Sequence, residues 1–271
     1  MDAKETMETG MSARSSFRRL AWWLVVVVPV IFILKVVSIE SAAQTGVVPR
    51  NPGEQGSVGR QAGPTVSEGS DPLLLGRVKY DRNNGNDCPN VGNALVNLVS
   101  QACTLNLGGT RTVELSSEEL VSFPFLFMNG HGHFNFSEKE RETLRNYFEN
   151  GGFLLASGCC DRREFPISMR RELTGLFEGQ PSARRAKFER MPYDHLIYRI
   201  QHTVERVTSL NRKTDIYLEG LFFDGRLVAV LCDEGLCCSF SMGNHCNKDR
   251  GVPPEIGPRL AVNIAIYALT H

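Results

Sequence analysis

The chain has 271 residues, and its 30 basic side chains balance its 30 acidic ones, so charge alone indicates no class of partner. The sequence has no basic stripe with interleaved aromatic residues, which argues against nucleic-acid binding. About 200 residues follow the N-terminal regions described next, which is enough for a single domain with a substantial hydrophobic core.

The N-terminal part of the chain predicts export. A basic region, residues 1–19, precedes an apolar segment, residues 20–39, which Lys35 interrupts. This segment is either an uncleaved transmembrane anchor or a signal peptide with a cleavage site at Ser41-Ala42-Ala43. The long basic region, the two tryptophans and Lys35 favour the anchor, with the N-terminus in the cytoplasm. We therefore expect a single-pass membrane protein with its C-terminal domain outside the cytoplasm, or a secreted or periplasmic protein after cleavage.

Residues 44–71 are rich in Gly, Pro, Ser and Gln and lack hydrophobic periodicity. This composition predicts a disordered linker. Residues 72–271 then form one exported domain.

Strand and helix patterns alternate through this domain. The pattern predicts strands at residues 73–80, 112–115, 123–128 and 153–156, and helices at 89–101, 137–150, 167–177 and 256–269. Residues 215–223 and 226–232 form a predicted hairpin, and residues 237–242 a further short strand. This order predicts an α/β fold: a mostly parallel, three-layer sheet with an antiparallel C-terminal hairpin edge.

The most informative stretch runs from Phe123 to Asp161. One apolar strand ends in Asn-Gly-His-Gly-His, and the next ends in Cys-Cys-Asp, with a capped helix between them. Because the carboxyl ends of neighbouring parallel strands meet at one edge of a sheet, we expect a site there.

A metal site is one interpretation of this edge. His131 and His133 stand on a glycine-rich turn, and with Cys160 they offer nitrogen and sulfur ligands of the kind that zinc prefers. The alternative is structural: the glycines serve the tight turn, and one histidine caps the helix at Ser137 or bonds to the backbone. The candidate ligand-binding residues are Asn129, His131, His133, Arg170 and Asp194.

A cysteine nucleophile is a second interpretation, with Cys159, Asp161 and His195 as the candidate catalytic residues. A cysteine directly after a strand resembles the turn that exposes a nucleophile in some hydrolases. The glycine two positions after the nucleophile is missing, however, and Asp161 would raise the pKa of a neighbouring thiol.

The cysteines have a third interpretation, as disulfides. All eight lie in the predicted exported region, where an even count favours oxidation. We expect a bond between Cys159 or Cys160 and one of Cys237, Cys238 and Cys246. A bonded sulfur could be neither a ligand nor a nucleophile.

Arg170 belongs to a group of arginines near the start of the helix at 167–177. Such a group can bind a carboxylate or a phosphate. It is more often a solvated face whose apolar stems cover the domain.

Several long segments resemble a single family: FPFLFMNGHGHF from Phe123, SEKERETLRNYFENGGFLLA from Ser137, PYDHLIY from Pro192 and FFDGRLVAV from Phe222. They resemble the bacterial domain of unknown function 4159 over the whole exported region. The resemblance implies a class I glutamine amidotransferase-like or flavodoxin-like fold, an exported or membrane-tethered location, and no established activity. The Gly-x-Cys-x-Gly turn and the His-x-Glu pair of the amidotransferases are missing from the sequence.

We therefore expect a noncatalytic binding or scaffold module of the cell envelope, tethered to the membrane or secreted, with an envelope protein as a partner. The alternative is a metal-assisted hydrolase, in which a cation such as zinc activates water and Asp161 or Asp194 is the base. A cysteine-dependent, amidotransferase-like enzyme is less favoured.

Overall fold

The computed structural model describes residues 71–80, 83, 88–241 and 249–271. The predicted basic region, apolar segment and nearly all of the linker therefore lie outside the described residues, as does Cys246. Within the described ranges, no helix combines the length and the apolar composition needed to cross a bilayer.

One seven-stranded sheet organises the described residues, in the order β2-β1-β3-β4-β7-β6-β5. The first five strands in this order are parallel, and β6 and β5 are antiparallel to their neighbours. The strands are β1 (Leu73–Lys79), β2 (Leu107–Glu114), β3 (Phe125–Gly130), β4 (Phe153–Gly158), β5 (Ala186–Arg190), β6 (Glu219–Phe223) and β7 (Arg226–Cys232). The predicted mostly parallel sheet with an antiparallel edge is confirmed.

Helices cover both faces of the sheet. The helices are α1 (Val91–Ala102), α2 (Glu138–Glu149), α3 (Glu164–Gly175), α4 (Leu236–Phe240) and α5 (Gly257–Thr270). Apolar residues of α1, α4 and α5 pack in one core layer, and those of α2 and α3 pack in the other. Strand β3 serves both layers, since Phe125 and Phe127 enter the first and Leu126 and Met128 the second. A strand covered on both sides needs this continuous apolar run.

Helix α2 is fixed at both ends by polar contacts. The Ser137 hydroxyl accepts a hydrogen bond from the backbone N–H of Glu140 at 3.2 Å, and the Glu140 carboxylate accepts one from the Ser137 N–H at 2.7 Å. This capping box starts the helix where the sequence predicts it. Near the other end, the Tyr147 hydroxyl donates to the Phe153 carbonyl at 2.9 Å and so joins α2 to the start of β4.

Two parts of the predicted secondary structure are wrong. The described part of the predicted strand at 237–242, residues 237–241, is not a strand, because α4 covers Leu236–Phe240. The antiparallel edge is also wider than a hairpin, since β5 pairs with β6 and is the outermost strand.

The strand order reverses at β1. The chain runs from β1 to β2 on one side and then returns to β3 on the other, the reversal found in flavodoxin-type sheets. In open α/β sheets ligands bind at the carboxyl ends of the strands beside such a reversal.

Candidate metal centre

Five cysteines and one histidine meet at the carboxyl ends of four adjacent parallel strands. Cys88 lies in the segment after β1, His131 directly follows β3, and Cys159 and Cys160 directly follow β4. Cys237 and Cys238 lie in α4, shortly after β7. We call the five sulfurs of Cys88, Cys159, Cys160, Cys237 and Cys238 the thiol cluster.

The sulfurs of the thiol cluster are in close contact. The Sγ of Cys159 lies 2.6 Å from that of Cys88 and 3.2 Å from that of Cys237. The Sγ of Cys238 lies 4.0 Å from that of Cys237 and 3.9 Å from that of Cys160. The cluster is therefore continuous from the loop after β1 to helix α4.

Two sets of four ligand atoms each lie within 4.8 Å of one another. The inner set is Cys88, Cys159, Cys237 and Cys238, all of which are buried. The outer set is Cys88, His131, Cys159 and Cys160, in which the histidine and Cys160 are half-buried.

The backbone at the cluster adopts an uncommon conformation. Cys88, Cys160 and Asp161 have φ angles of 52°, 54° and 59°. Residues other than glycine seldom adopt the left-handed region, and where they do the surrounding structure must hold them there. At Cys160 this turn lets two successive side chains, those of Cys159 and Cys160, reach the same site.

Hydrogen bonds hold the loops that carry the ligands. The backbone N–H of Cys159 donates to the Gly130 carbonyl at 3.0 Å, which joins the ends of β3 and β4. The Asn129 amide donates to the Cys159 Sγ at 3.5 Å. The buried Arg77 guanidinium donates to the Cys88 carbonyl at 3.3 Å and to the Pro89 carbonyl at 3.1 Å.

Contacts between the thiols shift their pKa values in opposite directions. Hydrogen bonds with the Cys159 and Cys237 thiols lower the pKa of Cys88 to about 6, and hydrogen bonds with the same two thiols lower that of Cys238. Burial, followed by the charge on Cys238, raises the pKa of Cys160 to about 11.

The inner set has the dimensions of a tetrahedral thiolate site. A Zn–S bond is about 2.3 Å long, so the sulfurs around a tetrahedral zinc are about 3.8 Å apart. The Cys159–Cys237 and Cys237–Cys238 separations of 3.2 and 4.0 Å lie on either side of this value. The Cys88–Cys159 pair is closer and would have to open by about 1 Å around zinc.

The predicted disulfides are not supported. None of the seven cysteines in the described ranges is disulfide-bonded. The closest pair, Cys88 and Cys159, has an Sγ–Sγ distance of 2.6 Å, longer than the bond length of about 2.05 Å. The sequence correctly brings the cysteines after β4 and those after β7 together, but as a cluster of thiols.

Two histidines predicted for one site lie in different surroundings. His131 belongs to the outer set, whereas His133 is exposed and its Nδ1 lies 3.3 Å from the Ser168 hydroxyl of α3. This contact gives His133 a structural partner, but the partner is a side chain of α3 and neither the backbone nor the N-cap at Ser137.

Asp161 borders the cluster, but its carboxylate has other partners. Its oxygens accept hydrogen bonds from the Arg212 guanidinium and, at 2.8 Å, from the Asn211 amide. Arg212 also donates to Glu234 at 2.6 Å, and the Ser209 hydroxyl donates to the same carboxylate at 2.7 Å. This network ties the loop after β4 to the loop after β7.

His195 and Asp194 do not join the site. The His195 ring packs 5.7 Å from that of Tyr267, which in turn packs against Phe153 at the amino end of β4, the end opposite the cluster. The Nδ1 of His195 accepts a hydrogen bond from the Ile197 N–H at 3.2 Å. Burial lowers the pKa of His195, and the neighbouring Asp194 carboxylate opposes this shift.

Arg170 is paired within the fold. Its Nε donates to both carboxylate oxygens of Glu219, at 2.9 and 3.0 Å, and its Nη2 lies 3.5 Å from the Asp233 carboxylate. The neighbouring Arg171 contacts Glu172, 2.9 Å away. The arginine group thus joins α3 to the sheet and has acidic partners of its own.

Sequence reasoning missed Cys88, Cys237 and Cys238 as ligands. Their position in the sequence could have indicated them, because each lies in the segment that follows the carboxyl end of a parallel strand. Assigning residues 237–242 to a strand hid two of them, since alternate residues of a strand point to opposite faces.

Together the fold and the cluster define a doubly wound α/β domain with a thiol-rich site at the carboxyl ends of its parallel strands. The family model described as Domain of unknown function (DUF4159) matches residues 74–269. Because the match covers most of the chain, the protein belongs to this family, as its sequence motifs predict. No curated protein matches the chain. The glutamine amidotransferase-like fold stays a prediction.

Proposed function

We propose that this domain is a noncatalytic binding module whose ligand is a thiophilic metal ion, zinc in the first instance, held by the inner set of cysteines. The observation that carries the proposal is the convergence of four buried sulfurs within 4.8 Å of one another. These thiols come from three separate segments of the chain and supply the sulfur ligands that zinc prefers. Four thiolates around one ion form a closed site, which is typical of structural rather than catalytic zinc.

The surroundings of the cluster support a binding role over catalysis. Metal-assisted hydrolysis needs a base beside an open coordination position, but the Asp161 carboxylate is already bonded to Arg212 and Asn211. A cysteine nucleophile must reach its substrate, whereas Cys159 is fully buried and His195 lies near the other end of the sheet.

The proposal keeps the location and the partners expected from the sequence. The domain would be held at the cell membrane by the N-terminal segment, or secreted after cleavage, and would contact an envelope protein. In an oxidising compartment a bound ion would protect the cluster from forming disulfides, because metal-bound thiolates are less available to oxidants.

Metal analysis of the full-length chain tests the proposal. The protein is purified under reducing, oxygen-free conditions, made metal-free, reconstituted with zinc and analysed for bound metal and for reactive thiols. We expect at least one tightly bound zinc per chain, with the inner thiols protected from a thiol reagent.

Matched serine variants locate the site. Replacing both Cys237 and Cys238 with serine should remove the zinc that the inner set holds. The Cys103→Ser variant should keep it, because Cys103 lies outside the cluster and its thiol contacts the Val99 carbonyl. A wild-type chain that is fully reduced and folded but binds no zinc would overturn the proposal.

A further inference from the structure

The two ligand sets at this site are not independent, because they share Cys88 and Cys159. Cys237 and Cys238 complete the inner set, and His131 and Cys160 complete the outer set. The shared sulfurs lie 2.6 Å apart and would have to open by about 1 Å to coordinate the same ions. Two sulfurs that belong to both sets occupy the position of bridging ligands.

The number of ligands fits two ions. Two tetrahedral ions need eight coordination positions, and six ligands fill them when two of the six bridge. The thiol cluster and His131 are six such ligands. A Zn2Cys6 module has this count, and here one terminal cysteine would be replaced by histidine.

The terminal ligands come from different strand ends along the edge of the sheet. Cys237 and Cys238 come from α4, next to the end of β7, whereas His131 comes from the end of β3. Cys160 lies between them, 3.9 Å from Cys238. The inner pair is buried and the outer pair half-buried, so the outer position lies closer to solvent.

Charge also favours two ions. If all five thiols lose their protons to bind metal, they carry five negative charges, and one divalent ion would leave three of these uncompensated in a mostly buried site. Uncompensated buried charge is costly. Among the described residues, Arg77 donates to the Cys88 carbonyl at 3.3 Å and offsets one charge, whereas Arg212 is already paired with Asp161 and Glu234. A second divalent ion would leave a single excess thiolate charge, which Arg77 faces.

We infer that the site holds a binuclear centre of two divalent thiophilic ions, bridged by Cys88 and Cys159, with Cys237 and Cys238 on the inner ion and His131 and Cys160 on the outer ion. This inference rests on the proposed metal-binding function and specifies it. The inner ion is closed off by protein, and the outer ion is the one that exchanges with solution.

Cobalt reconstitution of the full-length, reduced chain tests the inference. Co²⁺ replaces zinc in thiolate sites and is paramagnetic, so its stoichiometry and magnetism can both be measured. We expect two cobalt ions per chain, and a magnetic moment below that of two isolated ions because bridging sulfurs couple their spins. The coupling is measured on the wild-type protein and so does not depend on any variant folding.

Variants separate the two positions. The double variant His131→Ala, Cys160→Ser should bind one cobalt and lose the coupling. The control double variant His133→Ala, Cys103→Ser should bind two coupled ions, since both residues lie outside the two ligand sets.

Three results would overturn the inference in different ways. In the first, the wild-type protein binds only one ion, which the His131→Ala, Cys160→Ser variant keeps and which is lost when Cys237 and Cys238 are replaced. This result contradicts the binuclear centre but leaves the proposed function intact. Two ions without magnetic coupling contradict the bridging role of Cys88 and Cys159. The absence of any bound cobalt or zinc contradicts both proposals.

Discussion

Asp161 and Arg212 form an ion pair beside the thiol cluster, although 51 residues separate them in the chain. Arg212 also contacts Glu234, whose side chain is only 5% exposed. One guanidinium thus holds the loop that carries Cys159 and Cys160 against the loop that leads to Cys237 and Cys238.

Replacing Arg212 with methionine should destabilise the fold by about 3 kcal/mol, because the change leaves two mostly buried carboxylates without their cation. Urea unfolding of the metal-free protein measures the loss. Arg206→Met is the matched control, since the Arg206 side chain is 69% exposed and its pair with Asp215 should contribute less than about 1 kcal/mol. Equal losses in the two variants would contradict the role given to Arg212.

Replacing Asn129 with alanine should weaken zinc binding about tenfold, because the Asn129 amide donates a hydrogen bond to the Cys159 sulfur and so orients it. Competition with a chromophoric chelator gives the affinity. Asn146→Ala, on the exposed side of α2, should leave the affinity unchanged. An unchanged affinity in Asn129→Ala would show that this hydrogen bond does not tune the site.

Two glycines of the Gly-His-Gly turn should respond differently to alanine. A Cβ at Gly130 would lie 2.4 Å from the Tyr80 hydroxyl and 2.5 Å from the Phe165 ring, so Gly130→Ala should cost about 1–3 kcal/mol. At Gly132 a Cβ meets no atom within 4 Å, and Gly132→Ala should be neutral within about 0.5 kcal/mol. Thermal and urea unfolding of both variants checks the contrast, and a Gly130→Ala protein as stable as wild type would contradict it.

The stability of the domain should fall on acidification partly because of His195. Burial lowers its pKa in the folded state, so the unfolded chain binds the proton first as the pH drops below about 6.5. The contribution of the neutral imidazole to the free energy of unfolding is therefore present above this pH and is lost as the pH falls toward the folded-state pKa. Urea midpoints at pH 7.5 and 5 should differ less in His195→Gln than in wild type, and an equal difference would contradict the assignment.

The sequence predicts the centre of the fold well, because local signals agree there. The capping box of Ser137 and Glu140 and the continuous apolar runs on either side of α2 define a strand–helix–strand unit that the structure confirms. Strand β5 escaped prediction because a short, half-exposed edge strand with charged residues has little hydrophobic pattern. Helix α4 was assigned to a strand because a short apolar run has no distinguishing period.

The part of the site that this strand–helix–strand unit carries also follows from the sequence. His131 and Cys160 follow neighbouring strands, and pairing of Gly130 with Gly158 brings these strand ends together. Cys88 and Cys237 are 71 and 78 residues from Cys159 in the chain. Their contact with Cys159 depends on the order of the strands in the sheet, which the hydrophobic pattern of a single strand does not predict. His133 was misplaced because two residues of a turn do not have to face the same side.

The long separations within the thiol cluster have a consequence for how the chain would resist unfolding. An ion that binds Cys88, Cys159 and Cys237 would close chain segments of 71 and 78 residues into loops, as a cross-link does. Closing loops of this size removes much of the freedom of the unfolded chain. Bound metal would thus stabilise the domain in the way that disulfide bonds stabilise many exported proteins. Unlike a disulfide, this stabilisation would be removed reversibly by a chelator.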